Sequence, residues 1–248
     1  MLRLILLIVS TVSWAAAPGP LRFELKRIEK KTGTCVITFE YPEITSAASP
    51  QVRDRINAGI LRVLLRWSAW PGSDSGFPSL DEYANAFLKQ CAGSQKRPEA
   101  RGLYEHKFVT IFRYTPPFLS LRCEADEDAG GVHPFATTFF VNFESGTGKT
   151  VVITDLLREG GLAKLESVAE ANFRRDNNLS STQSLSETYT FPGGRFRLND
   201  NFGIGERNLV FLFNTYEIGA GAMPATEIKI AYPLIRDLLK PDLRLERR

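Results

Sequence analysis

Three stretches in the middle of the chain decide the fold. Residues 104–114 read YEHKFVTIFRY, residues 118–125 read FLSLRCEA and residues 135–143 read FATTFFVNF. All three are rich in the apolar, aromatic and β-branched residues that favour strands. Turn formers separate them, two prolines after the first stretch and an acidic tract with two glycines after the second. The pattern predicts an antiparallel meander of three strands.

The N-terminal part predicts a β-hairpin followed by two helices. Residues 21–30 and 34–41 alternate like strands on either side of a glycine turn. Between Pro50 and Trp67 apolar residues recur with a period of about 3.6, which indicates a helix that starts at the proline. A capping-box sequence predicts a second helix from Ser79 to Lys89.

The C-terminal part repeats this mixture of helices and strands. The patterns predict a helix over residues 162–175, strands over 195–198, 208–213 and 226–232, and a closing helix over 233–239. Strands and helices in this order favour an α+β fold, in which helices pack on one face of antiparallel sheets.

The first residues predict export from the cytoplasm. Arg3 precedes an apolar stretch and then small residues that would allow cleavage after Ala15. The apolar stretch is shorter than the roughly 20 residues that a membrane-spanning helix needs, so we expect no span after cleavage. The expected organisation is a signal peptide (1–15), an N-terminal α+β subdomain (16–97), a C-terminal domain (98–240) and a tail (241–248).

The composition excludes several classes of protein. Of the 248 residues 43% are hydrophobic and 17 are Phe, so the chain can bury a core and is not intrinsically disordered. Its 31 Lys and Arg nearly balance its 28 Asp and Glu, and the cations are dispersed rather than gathered with aromatic residues into a stripe. We therefore expect no nucleic-acid partner.

Three cysteines remain after the expected cleavage. Cys35, Cys91 and Cys123 all occupy positions that point toward the apolar interior. In an oxidising compartment two of them can pair, which leaves one thiol that is either buried or used between chains. The sequence does not choose the pair.

Residues that bind metals or catalyse reactions are sparse. The two histidines, His106 and His133, stand far apart, and no cysteine pair has zinc-site spacing. The acidic run Glu124–Asp128 lacks the alternating ligands of a calcium loop. We expect no metal, no cofactor and no catalytic residue.

Two stretches are not explained by strand or helix propensity. Residues 130–134, GGVHP, place glycines and a proline around a histidine, and residues 213–222, FNTYEIGAGA, lead from a strand into a bend of small residues. The glycines can serve the backbone alone, because they permit unusual backbone angles. Loops at strand ends also commonly carry recognition. The residues expected to border a binding surface are Asp126, Asp128, Gly131, His133, Tyr216, Glu217, Gly219 and Gly221.

The order of several short motifs resembles a known family. GGVHP is followed by FFVNF (139–143), TGK (147–149), TDLL (154–157), NLVFLF (208–213), YEIGAG (216–221) and EIKIAY (227–232). In this order they resemble the RsiV-like domain family, over about residues 100–240. That extracytoplasmic module lies at the C-terminus of RsiV-type anti-sigma factors and of some cell-wall deacetylases. Residues 21–97 are similar in layout to the small domain that commonly precedes it.

The resemblance implies a binding role. RsiV-type proteins bind lysozyme with this region, and in the deacetylases the chemistry belongs to a separate metal-dependent domain. The leading hypothesis is a secreted or periplasmic, non-catalytic binding module whose partner is a lysozyme-like protein or a peptidoglycan fragment. The alternative is a cell-envelope hydrolase that uses carboxylates from Glu124–Asp128 or Glu217. A third hypothesis is a structural subunit in which the odd cysteine joins two chains.

Overall fold

Long strands and helices follow one another along the chain. The computed structural model describes residues 20–66, 76–94, 103–128, 130, 133–219, 223–243 and 245. The strands are β1 (Arg22–Thr32), β2 (Cys35–Ser46), β3 (Tyr104–Thr115), β4 (Phe118–Asp128), β5 (Phe135–Glu144), β6 (Phe202–Ile204), β7 (Asn208–Phe213) and β8 (Thr226–Ala231). The helices are α1 (Pro50–Arg66), α2 (Leu80–Ser94), α3 (Ile153–Leu156), α4 (Gly161–Asp176) and α5 (Tyr232–Ile235).

Sheet one contains the first five strands in the order β1-β2-β3-β4-β5. Neighbouring strands are antiparallel except β2 and β3, which run parallel. This exception arises because α1 and α2 carry the chain back to the same end of the sheet. The two helices cover one face of sheet one, where apolar residues such as Phe39, Ile56 and Leu121 form a first hydrophobic core.

Sheet two contains β6-β7-β8 in antiparallel order and packs on the other face of sheet one. Phe112 and Phe140 of sheet one meet Val210 and Leu212 of sheet two. The alternate residues of β7 face α4, whose Phe173 belongs to a second hydrophobic core. The layers are therefore helices, sheet, sheet and helix, which confirms the predicted α+β fold.

Two predicted elements differ in the structure. Residues 195–198 belong to no strand, and Phe196 is simply buried in the second core. The third strand of sheet two is instead β6, whose three residues are too few to show a period. The closing helix α5 is only four residues long, and the chain continues in turns to a bridge between Leu239 and Leu157.

The structure shows which two cysteines pair, which the sequence did not determine. Cys35 of β2 and Cys91 of α2 form a disulfide, which ties the hairpin to the helix that covers it. Cys123 is the odd thiol; it is 3% exposed, and burial raises its pKa. A thiol in this position is not accessible to a second chain, so the hypothesis of a dimer joined through the odd cysteine is wrong for this fold.

Sheet one contains strands from both of the expected domains. β2 lies before position 97 and β3 after it, and residues of both strands enter the first hydrophobic core. The predicted signal peptide, residues 1–15, lies outside the described residues. Within the described ranges, no helix is long and apolar enough to cross a membrane.

Candidate functional site

β3 presents three rings in a row on the face of sheet one that points away from α1 and α2. Tyr104, His106 and Phe108 occupy every second position, so their side chains share this face. The ring centroids of Tyr104 and His106 are 5.1 Å apart, and those of His106 and Phe108 are 6.1 Å apart. All three side chains are half-buried. They therefore form a continuous strip of aromatic rings that solvent still reaches.

Two carboxylates of β4 lie beside this row. Asp126 pairs in register with His106, and Glu124 pairs with Phe108. The Tyr104 hydroxyl donates a hydrogen bond to Asp126 Oδ1 at 3.3 Å. Partial burial, together with the neighbouring carboxylates, raises the pKa of Tyr104, which keeps its hydroxyl a donor. We call the surface made by these five residues the aromatic face.

The opposite side of β3 explains why the rings point outward. Glu105 and Lys107 lie on the buried side, where their carboxylate and ammonium are 3.0 Å apart. The Tyr83 hydroxyl of α2 donates to Glu105 at 2.7 Å, and the Lys107 ammonium donates to the Leu64 carbonyl of α1 at 2.7 Å. Both side chains thus have specific partners under the helices, and the strand register that provides them turns the rings outward.

Burial acts on both members of this ion pair. Desolvation raises the pKa of Glu105 and lowers the pKa of Lys107, and the attraction between the two charges opposes both shifts. The Lys107 ammonium also lies 4.3 Å from the centroid of the Tyr83 ring, a cation–π contact. The pair lies on the buried side of β3, so it holds the strand in place but does not contact a ligand on the aromatic face.

The turn that contains Tyr216 and Glu217 borders the aromatic face on the β5 side. Glu217 accepts hydrogen bonds from the Asn214 backbone N–H at 2.8 Å and from the Asn199 side chain at 2.6 Å. Asn214 in turn donates to the Thr138 carbonyl at 3.0 Å, and Thr138 pairs in register with Glu124. Tyr216 has a positive φ of 69° and is 57% exposed. Its ring is therefore available at the rim.

Asp128 lies opposite Tyr104 in the β3–β4 register, at the end of the aromatic face, whereas His133 lies in the loop before β5. Asp128 is buried, and its Oδ1 accepts a hydrogen bond from the Gly130 N–H at 2.9 Å, so it organises the turn between β4 and β5. His133 is exposed just before β5. Gly131 lies outside the described residues.

The glycine bend after Tyr216 has an architectural role at Gly219. This residue is buried and forms a bridge with Tyr189, and a β carbon here would overlap the sulfur of Met223. Gly219 therefore packs closely against Met223, and a larger residue here would displace the methionine side chain. Gly221 lies outside the described residues.

Among the described residues, no group of three His, Cys, Asp or Glu side chains is placed to hold a metal ion. The carboxylates considered for hydrolysis are occupied by structural hydrogen bonds, as Asp126, Asp128 and Glu217 show. What the arrangement offers is ring stacking, hydrogen bonding and attraction for cations.

Comparison with known proteins adds a family match in the C-terminal part. Residues 154–233 match the family model described as Protein of unknown function (DUF3298). The DUF3298 match begins at α3 and ends within α5, so it includes α4 and sheet two. It also includes Tyr216, Glu217 and Gly219. β3 and β4, which carry the aromatic face, lie before it.

Two solved DUF3298 structures share the fold of nearly the whole chain. A DUF3298 family member from Bacteroides fragilis aligns with a TM-score of 0.73 at 17% identity, covering 92% of this chain and 96% of the other. A DUF3298 family protein from Pseudomonas aeruginosa aligns with a TM-score of 0.67 at 17% identity, covering 90% and 96%. The chain matches no curated protein. At this identity the likeness establishes the fold alone.

Sequence reasoning predicted β3 as a strand but missed its row of rings as a site. The available signal was the spacing: Tyr104, His106 and Phe108 stand at alternate positions, while Glu105 and Lys107 stand between them. Charged residues normally face solvent, so this alternation gives the wrong orientation for β3. Only the partners supplied by α1 and α2 reveal which side is buried.

Proposed function

We propose that this chain is a secreted or periplasmic, non-catalytic binding module of the RsiV-like type, whose partner belongs to the cell envelope. Of the two partners considered, a cationic lysozyme-like protein fits the surface better than a peptidoglycan fragment. The aromatic face carries the proposal, because it combines a strip of half-buried rings with carboxylates on an open sheet.

The shape and charge of the aromatic face support a protein partner. Aromatic side chains dominate the binding energy of protein interfaces, and they do so where neighbouring contacts exclude water. Asp126 is exposed beside the rings and would attract a cationic partner during encounter, whereas Glu124 already pairs with Arg122 at 3.2 Å. The face is a sheet surface rather than a deep cleft, which suits another protein surface better than a small sugar.

Export is supported by the cysteine chemistry. The Cys35–Cys91 disulfide joins two elements of the first core, and structural disulfides persist mainly in oxidising compartments. Cell fractionation followed by mass spectrometry of the N-terminus tests this part. We expect an envelope or medium fraction that lacks residues 1–15; recovery from the cytosol with those residues attached would contradict export.

Binding to lysozyme tests the proposed partner directly. We expect titration of the purified protein with lysozyme to give saturable heat at micromolar concentrations, and Phe108→Ala to weaken binding at least about tenfold. Asp126→Asn should mainly slow association and reduce its dependence on salt. Phe23→Ala is the matched control, because Phe23 is 46% exposed on β1, away from the aromatic face. No heat with the unmodified protein would remove the lysozyme partner.

Peptidoglycan distinguishes the remaining alternatives. Saturable binding of soluble peptidoglycan fragments that Phe108→Ala abolishes would make the sugar polymer the partner of the same face. Turnover of peptidoglycan that disappears in Asp128→Ala or Glu217→Ala would contradict the non-catalytic role. Turnover that is unchanged in both variants would eliminate these carboxylates as its source.

A further inference from the structure

A large cavity lies away from the aromatic face, beside the C-terminal segment. Its volume is about 940 Å³, which is at the upper end of the range for sites that bind small molecules. It opens between the turn after β3, the loop after α3 and the chain that follows α5. Its lining residues are Thr115, Pro116, Arg158, Tyr232, Arg236, Leu239, Lys240, Pro241, Asp242, Leu243 and Leu245.

The charged lining of this cavity is predominantly positive. Arg158, Arg236 and Lys240 contribute cations, and Asp242 contributes the only carboxylate among the described lining residues. Arg158 donates from Nε to the Leu239 carbonyl at 2.8 Å, and within the described residues its two terminal nitrogens have no hydrogen-bond partner. This contact holds the guanidinium by one edge and leaves the other edge for a ligand.

Lys240 is fixed in a similar way. Its ammonium donates to the Asp155 carbonyl at 2.8 Å and to the Thr154 carbonyl at 3.4 Å. Both partners are neutral carbonyls, and the Asp155 carboxylate, which pairs with Lys149 at 3.3 Å, also attracts the Lys240 ammonium. Two cations are therefore held in place by backbone oxygens at the same cavity.

A buried arginine adds a fourth positive charge behind the cavity. Arg113 is 4% exposed, and its terminal nitrogens donate to the Gly205 carbonyl, to the Tyr232 hydroxyl at 3.4 Å and to the Leu245 carbonyl at 2.6 Å. Tyr232 and Leu245 both line the cavity. All these acceptors are neutral, and Arg113 Nε is buried without a hydrogen-bond partner in the described structure.

Among the described residues no carboxylate pairs with Arg113, and a buried cation in this setting is unfavourable unless a negative charge approaches it. We infer that this cavity binds a small anion that bears two or more phosphate or carboxylate groups. Arginine presents a planar fork that matches both groups, and the charge of Arg113, which is buried and does not itself line the cavity, adds to the attraction. The volume accommodates an anion with several such groups rather than a single inorganic ion.

Calorimetry with two probes tests the inference. Pyrophosphate and citrate are titrated separately into the purified full chain at constant ionic strength. We expect at least one of them to bind with a dissociation constant below about 1 mM. The tighter of the two identifies whether phosphate or carboxylate groups are preferred. Absence of saturable binding by both would overturn the inference.

Matched variants locate the bound anion. Arg158→Gln and Lys240→Gln should each weaken binding at least about tenfold while far-ultraviolet circular dichroism stays unchanged. If Arg158→Gln fails to fold, Arg158→Lys retains the charge but loses the fork and should still weaken binding. Arg195→Gln is the control, since Arg195 is exposed and lines a separate cavity of about 400 Å³.

Two outcomes would assign the anion elsewhere and overturn the inference. Equal weakening by Arg195→Gln and Arg158→Gln would indicate general attraction to a cationic surface. Loss of binding in Arg247→Gln/Arg248→Gln, with Arg158→Gln unaffected, would place the anion on the two terminal arginines. Loss of anion binding that is confined to Arg158→Gln and Lys240→Gln supports binding in the cavity.

Discussion

At the scale of single residues, β3 reverses the usual distribution of polar and apolar side chains. Glu105 and Lys107 are buried, whereas Tyr104, His106 and Phe108 remain half-exposed. The buried pair is tolerated because Tyr83 and a helix carbonyl complete its hydrogen bonds. Glu105 Oε2 is still buried without a partner in the described residues, so the pair is not fully satisfied. Removing one member should therefore be much worse than removing both.

Lys107→Met should lower the free energy of unfolding by about 3–5 kcal/mol, because it leaves the buried Glu105 carboxylate, which faces buried Glu127 on β4, without its cation. The double variant Glu105→Gln/Lys107→Met should recover part of that loss, since it removes both charges of the pair while the buried Glu127 carboxylate, opposite Glu105 in register, remains. Urea denaturation of the two single variants and the double variant completes the mutant cycle. If the double variant loses the sum of the single effects, the two residues do not act as a pair.

The same residues predict a specific pH dependence. Burial holds the folded-state pKa of Glu105 above its ordinary value of 4.5, so the folded chain binds this proton more tightly than the unfolded chain. The resulting stability is present below pH 4.5 and is lost as the pH rises through the folded-state pKa. Lys107→Met removes the opposing attraction, so it should enlarge this loss and extend it to higher pH. Unfolding free energies measured from about pH 4 to pH 7 should show no such slope in Glu105→Gln/Lys107→Met.

At the scale of elements, the sequence predicted the helices and strands that are long enough to show a hydrophobic period. α1, α2 and α4 each span at least four turns of apolar periodicity, and β1–β5, β7 and β8 occur where strands were expected. β6 was missed because its three residues carry no period and its strand identity comes from pairing with β7. The aromatic face was missed for a different reason: the orientation of β3 depends on partners in two helices that are distant in sequence.

The contact between α1 and sheet one gives a prediction about Gly59. A β carbon at Gly59 would lie 2.5 Å from Cζ of Phe143, so the helix approaches the sheet more closely than alanine permits. Gly59→Ala should destabilise the fold by about 1–3 kcal/mol, although alanine favours helices. Gly93→Ala in α2 is the control, because a β carbon there meets nothing within 4 Å. Thermal unfolding should show a loss for the first variant and no loss for the second; equal effects would contradict the close contact.

At the scale of the whole molecule, a buried polar layer joins the two sheets. Ser120 and Asn142 of sheet one are hydrogen-bonded to each other at 2.6 Å, and both accept from the Ile204 N–H of sheet two at 3.2 Å. Asn142 also donates to the Phe202 carbonyl at 2.7 Å. β6 therefore supplies hydrogen-bond partners for side chains of β4 and β5 that are buried away from water. The sheets depend on each other for satisfied hydrogen bonds as well as for apolar burial.

This dependence predicts that sheet one does not fold as an independent unit. A chain that ends at residue 150 would expose Phe112 and Phe140 and leave the Ser120–Asn142 pair without its sheet-two partners. It should retain strand signal in far-ultraviolet circular dichroism but lose the near-ultraviolet signal of fixed aromatic packing. The longer chain should instead unfold in one transition that both signals follow. A cooperative transition in the shortened chain would show that the first core is sufficient, and the polar layer would then be a contact between two separately stable units.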